Sequence, residues 1–266
     1  MSDTPEMPEL NGVPNVLACD IGNSSLHLAC VQGEQVTDCH VVRIGELACL
    51  RELLPRLWDV ADGPCKLVAS SVQPTALKAF EAAASEFVGQ GVLVVGRDLP
   101  LPIKTDLPDP ASIGTDRLCA AVAAYDRLGA ACVVADFGSA VTVDCVNDDG
   151  VFLGGAILPG LSMSADCLHE CTALLPRVQL AAAAPVFGKN AEQAILLGLL
   201  AAARGALREL VEAYATEMGR WPLVILTGGD AELVCPHPGQ GELVQAVVPD
   251  LTLRGAAIAY YKTLLK

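Results

Sequence analysis

The chain has 266 residues, 52% hydrophobic and only 4% aromatic, and carries a net charge of −14 from 31 acidic against 17 basic residues. That length and apolar content suffice for a sizeable core in one large or two ordinary domains, which excludes disorder away from the ends. With no run of Lys or Arg anywhere, so acidic a chain excludes nucleic acid or an anionic membrane as its main partner.

Residues 1–14, rich in Pro, Asp and Glu, read as a loose tail. An apolar strand over 16–19 runs into Asp20-Ile21-Gly22-Asn23-Ser24-Ser25, and 26–31 reads as its hairpin partner. The pattern then predicts a helix over 46–57, a strand over 66–72, a helix near 75–87 and a strand over 92–95. Pro100, Pro102, Pro108 and Pro110 make 99–110 a rigid connection, dividing a first domain over 15–112 from a second over 113–266. After Gly114-Thr115-Asp116-Arg117 a helix is predicted to about 128, then a strand over 132–135 and the turn Asp136-Phe137-Gly138-Ser139. Strands over 141–146 and 151–158 flank the hairpin turn 147–150. Pro159-Gly160 leads into a helix, a long helix covers 191–217, a strand over 223–226 ends in Thr227-Gly228-Gly229-Asp230, and a helix over 253–265 closes the chain. Each half opens strand–loop–strand and continues with helices. This predicts α/β architecture with a ligand in a cleft between the halves.

The two Asp-x-Gly turns lie 116 positions apart (136 − 20) and suggest an internal duplication. An Asp at a strand end can hold a cation, and the Gly beside it lets backbone N–H groups approach an anion. Mg²⁺ keeps several waters, so a single Asp is chemically adequate. Either turn alone also suits an ordinary β-turn. Ser139 and Thr142 add hydroxyls to the second, while Asp144 reads as a solvated strand residue rather than a ligand. Asp116 and Arg117 at a helix start suit proton acceptance and an anion grip. Spacing alone favours a plain helix N-terminus, with Asp116 in the first turn and Arg117 on the surface. Gly228-Gly229 and Gly154-Gly155 suit close approach of a ligand or tight packing; Lys189 suits a phosphate contact or a capping segment. Eleven scattered cysteines, with no Cys-x-x-Cys and no signal peptide, predict reduced thiols and a cytoplasmic protein. Cys167-Leu168-His169-Glu170-Cys171 suits a helix face better than a metal site. No apolar stretch is long enough to span a membrane; 194–203 is ended by Arg204.

Together these residues resemble the type III pantothenate kinases of the acetate kinase/sugar kinase/Hsp70/actin superfamily. The resemblance rests on Asp20-Ile-Gly-Asn-Ser24, Ser70-Ser-Val-Gln-Pro74, Pro110 with Gly114-Thr-Asp-Arg117, Asp136-Phe-Gly-Ser139, Gly154-Gly-Ala-Ile-Leu-Pro-Gly160, Gly188-Lys-Asn190, Thr227-Gly-Gly229 and Pro249-Asp-Leu-Thr-Leu253, in that order. It implies duplicated ribonuclease H-like (actin-like ATPase) domains with a ligand cleft between them. It implies ATP-dependent phosphorylation of pantothenate to 4'-phosphopantothenate, the first step of coenzyme A biosynthesis. ATP, Mg²⁺ and a monovalent cation, K⁺ or NH₄⁺, are the implied cofactors. A cytoplasmic homodimer with a shared active site is the implied assembly.

By the same resemblance Asp116 is the proton acceptor, and Gly114, Thr115 and Arg117 share the pantothenate and phosphate clamp. Asp20, Gly22, Asn23, Ser24 and His27 belong to the ATP phosphate loop, with Asp20 reaching Mg²⁺ through water. Asp136 matches the monovalent-cation ligand, and Ser139, Gly228 and Gly229 match ATP contacts. Leu107 and Ala191 stand at pantothenate-contact positions where relatives carry Tyr and Thr, and Val141 replaces a Thr. A lost hydrogen bond at each contact position costs on the order of 1 kcal/mol. Two other readings accommodate these residues: a non-catalytic nucleotide-binding relative, and a kinase of the same fold with another small hydroxylated substrate.

Overall fold

The computed structural model describes residues 14–61, 65–182, 184–239 and 242–265. The expected tail lies outside them except for Pro14. Contacts divide the chain into two units: one is the chain up to Pro102 together with Thr252 onward, the other Ile103–Leu251. The divide therefore falls ten residues before the expected one, and the closing helix counts with the first unit, not the second.

The first unit contains β1 (Asn15–Ile21), β2 (Ser25–Gln32), β3 (Gln35–Arg43), α1 (Leu50–Val60), β4 (Cys65–Ser71), α2 (Pro74–Phe87) and β5 (Val92–Val94). Its sheet runs β3-β2-β1-β4-β5, with β1 antiparallel to β2 and parallel to β4. Val16 to Cys19 are wholly buried, as the continuous apolar run of a central strand requires. Leu17, Cys19 and Ile21 alternate onto the face that packs with Leu54, Leu57 and Phe80 from the helices. Leu50, Leu54 and Leu57 recur at helical spacing and supply the buried stripe of α1. The expected helix over 46–57 starts late. Ile44–Cys49 is a 3-10 segment, broken at Glu46 (φ −119°, ψ 20°). The N-terminus of α2 is closed by Gln73, whose side chain accepts from Ala76 N–H at 2.6 Å, with Pro74 at the first helical position.

The second unit contains β6 (Lys104–Thr105), α3 (Thr115–Leu128), β7 (Cys132–Phe137), β8 (Ala140–Val146), β9 (Val151–Pro159), α4 (Leu161–Glu170), α5 (Ala191–Met218), β10 (Leu223–Thr227), α6 (Ala231–Val234) and β11 (Ala246–Val247). Its sheet runs β11-β10-β7-β8-β9-β6. Set β7 against β1 and the two orders coincide, with β6 as an extra edge strand. Pairing senses coincide too: β7 is antiparallel to β8 and parallel to β10. The duplication suggested by two short turns thus extends over five strands in each unit. Val133, Ala135 and Phe137 face Leu200, Leu207 and Val211 of α5 in the core. Asn190 caps α5 through Gln193 N–H at 2.8 Å, and Gly219 ends it in the left-handed region at φ 68°.

The helix after β5 (α3) lies in the second unit, whereas the helix that ends the chain, α7 (Leu251–Leu264), belongs almost wholly to the first. Its attachment is specific. Tyr261 Oη donates to the Val31 carbonyl at 2.9 Å, and Arg254 Nη1 donates to the Glu34 carbonyl at 2.7 Å. No described helix is long and apolar enough to cross a membrane. Tyr261→Phe removes the buried bond to Val31 and is predicted to destabilise the protein by about 1 kcal/mol in urea unfolding; an unchanged midpoint contradicts this account of how α7 is held.

Candidate active site

In the first unit Asp20 stands near the end of β1, directly opposite His27 on β2 and Ser70 on β4. Residues in register share a sheet face, so the three form one row. Asp20 Oδ1 is buried and accepts no hydrogen bond, while the residue engages its surroundings through other interactions. His27 Nε2 lies 3.0 Å from Ser25 Oγ, and burial lowers its pKa, so the imidazole is neutral near pH 7. The turn closes with Gly22 N–H donating to the Ser25 carbonyl at 3.0 Å, which leaves Asn23 and Ser24 exposed.

The second unit repeats the device with a tighter surround. Asp136 on β7 faces Thr142 on β8 and Thr227 on β10. Gly138 N–H donates to the Ala140 carbonyl at 3.1 Å, and Ser139 is exposed. Gly228, at φ 90°, presses on the loop: a side chain there would overlap Asp136 Oδ1 and the Phe137 carbonyl. Gly229 faces open space. Asp136 is thus a carboxylate in an oxygen-rich cradle. Burial first, then the charges of Asp116 and Asp144, push its pKa up to about 7.

Gly114 is the N-cap of α3, followed by Thr115, Asp116 and Arg117. Asp116 Oδ1 accepts from Arg117 N–H at 2.8 Å, which fixes the carboxylate over the helix start. Arg117 does not lie on the surface. Its Nε donates to both oxygens of Asp144, at 3.1 and 3.0 Å, and Nη2 donates to Oδ1. The side chains are 16% and 3% exposed. Burial raises the Asp144 pKa and the Arg117 bonds oppose it, while Asp144 holds Arg117 more firmly protonated. The expectation that Asp144 is solvated is therefore corrected: β8 points it inward, and a charge at that depth requires a partner. Gly155, opposite it on β9, provides the room, because a side chain there would overlap Asp144 Oδ1. The Phe152 ring centroid lies 5.8 Å from the Arg117 guanidinium carbon.

Leu107 joins this neighbourhood. Its Cδ2 would be in ordinary van der Waals contact, at 3.5 Å, with a side chain built on Gly154, and the adjoining Asp106 N–H donates to the Phe152 carbonyl at 3.0 Å. Ala191 instead opens α5 with its side chain exposed. Lys189 serves the capping segment: its N–H donates to Gln193 Oε1 at 2.9 Å and its ammonium lies 5.7 Å from the Phe187 ring centroid. At the end of α4, Cys167 and Cys171 bring their sulfurs within 3.8 Å, while His169 Nδ1 lies 2.8 Å from the Leu175 carbonyl. Among the described residues no group of three or more His, Cys, Asp or Glu could hold a metal.

The sign of the Asp136 effect on stability follows from its raised pKa. The folded value of about 7 exceeds the ordinary 3.8, so the stabilising protonated form is fully present below the lower value and is lost as pH rises through the higher. Asp136→Asn, which fixes a neutral group, is predicted to be more stable than the native chain near pH 8 in cation-poor buffer, by up to ~4 kcal/mol. The advantage should vanish towards about pH 4. Identical melting curves near pH 8 contradict it.

The family model describing type III pantothenate kinase matches residues 16–213. A type III pantothenate kinase of Syntrophotalea carbinolica is 34% identical over 258 residues, covering 93% of this chain and 98% of that protein. One from Dehalococcoides mccartyi (strain 195) is 31% identical over 252 residues, covering 92% and 96%. Among solved structures, a Baf family protein from Campylobacter jejuni superposes with TM-score 0.59 at 19% identity, covering 94% of this chain and all of that one. MreB 5 of Spiroplasma citri, solved with AMPPNP, superposes with TM-score 0.51 at 10% identity, covering 96% and 98%. At such identities these likenesses concern fold alone, and the fold is the α/β, duplicated actin-like ATPase fold expected from the sequence. On the family match and the identity over nearly its whole length, the chain belongs to the type III pantothenate kinase family.

Proposed function

We propose that this protein transfers the terminal phosphoryl group of ATP to the hydroxyl of pantothenate, giving 4'-phosphopantothenate and ADP at the start of coenzyme A synthesis. Family membership supports the reaction. The observation that carries the site assignment is the start of α3, where Asp116 and a half-buried, rigidly held Arg117 meet. The hydroxyl oxygen attacks the terminal phosphorus, the bond to the bridging oxygen breaks, and the proton passes to the Asp116 carboxylate. Backbone N–H groups following Gly114 and the positive end of α3 favour an anion there. Arg117 Nη1 has no partner among the described residues and offers two further N–H groups to the carboxylate or the phosphoryl oxygens.

Asp20, Gly22, Asn23, Ser24 and His27 form the phosphate loop in this reading. Mg²⁺, held through water by Asp20, would neutralise charge on the phosphates. A lone carboxylate suits that water-rich mode of binding. Asp136 would hold K⁺ or NH₄⁺. The hardness of its oxygen cradle and its raised pKa support this, since a cation would offset the charge that burial disfavours. Ser139, Gly228 and Gly229 would line ATP, Gly229 being open to approach. Leu107 and Ala191 would border pantothenate with apolar contacts in place of hydroxyls.

Ala191 is exposed, and Val186 and Phe187 before it are 81% and 72% exposed. An apolar surface beside a substrate position supports a homodimer that completes the site. The cytoplasm, where ATP and reduced thiols coexist, fits eleven free cysteines. Asp116→Asn is predicted to lower kcat on the order of a hundredfold or more, with ATP affinity nearly retained. Undiminished turnover would remove Asp116 from the chemistry, and preference for another hydroxylated acid would replace pantothenate as substrate.

A further inference from the structure

Resting on the reading of Arg117 as part of the substrate clamp, the geometry assigns Asp144 as a positioning residue for pantothenate, acting only through Arg117. A guanidinium gripped along one edge is fixed in its plane and in its rotation within that plane. Here the gripped edge is Nε and Nη2, both bonded to Asp144, so the free Nη1 corner points in one direction only. The Phe152 ring limits the guanidinium further, and the space that Gly155 leaves lets the carboxylate sit at this depth. Without Asp144 the side chain keeps its charge but regains rotamers, and binding substrate must then restrict them again.

Asp144 meets no substrate in this account. Its carboxylate is 3% exposed and faces Arg117, Gly155 and the hydroxyl of Thr142, which donates to it. That separates it from Asp116, whose carboxylate stands at the helix start. It also explains the use of Arg: Lys has no second donor along an edge and could not be steered in this way.

The test is a double-mutant cycle on the full chain, reading KM for pantothenate, KM for ATP, kcat and melting temperature. Asp144→Asn is expected to raise the pantothenate KM about tenfold while changing the ATP KM little. Arg117→Ala is expected to raise it at least as much, and adding Asp144→Asn to Arg117→Ala should raise it no further. A purely structural Asp144 would impair both substrates together, or add its effect to that of Arg117→Ala, and either result overturns the inference. If Asp144→Asn alone fails to fold, Arg117→Met with Asp144→Asn removes both charges and should match Arg117→Met alone; a further KM rise overturns the inference. If Arg117→Ala leaves the pantothenate KM unchanged, the clamp reading itself falls, and this inference with it. A raised KM in Arg117→Ala but not in Asp144→Asn removes only the positioning role.

Discussion

Three carboxylates and one guanidinium govern the second unit. Asp116, Asp136 and Asp144 repel one another in partly or wholly buried positions, and Arg117 answers Asp144 directly. A buried charge must be paired, neutralised or given a counter-ion. Asp144 is paired. Asp136 moves towards neutrality. Asp116 remains at a helix N-terminus, where negative charge is favoured. The proposed function would place reagents of opposite need on this distribution: a cation at Asp136, a hydroxyl proton at Asp116, an anion at the free corner of Arg117. In a chain of net charge −14, anion binding has to be local, and in the proposed reading glycine turns, a helix end and one fixed Arg would provide it.

The duplicated fold explains why two such different sites share one backbone device. In both units a central strand ends in an Asp, turns on a Gly N–H bond, and returns antiparallel. The rows across the sheets have diverged. Asp20 lies between a neutral His27 and a buried Ser70, while Asp136 lies between two threonines and under Gly228. In the second, burial and the charges of Asp116 and Asp144 raise the Asp136 carboxyl to about 7.

Much of this was legible in the chain because central strands buried on both faces read as uninterrupted apolar runs. Residues 16–19 and 132–135, each followed by Asp-x-Gly, marked both central strands with their turns and the repeat. Other features were not visible, for identifiable reasons. β3 went unread because it is an edge strand with one buried residue, Val42, and a sequence too polar to signal a sheet. The docking of α7 depends on bonds such as that of Tyr261 to Val31, 230 positions apart, about which local pattern carries no information. Asp144 was misread because an acid on a strand is ordinarily solvated. The counter-signal lay on another strand: Gly154-Gly155 pairs with Cys145 and Asp144 and makes the room that a buried carboxylate needs. Residues 167–171 lie at the end of α4, and the capping alternative at 188–190 matched the bonds that Asn190 and Gln193 make.

The central claim is that the acid and fixed arginine at the start of α3 serve phosphoryl transfer to one particular hydroxyl. The most direct measurement is product identification by mass spectrometry after incubating the folded protein with ATP, Mg²⁺, K⁺ and pantothenate. The account predicts 4'-phosphopantothenate and ADP in equal amounts, with neither formed when pantothenate is left out. ATP bound without turnover, or ADP released at the same rate in the absence of pantothenate, would contradict it.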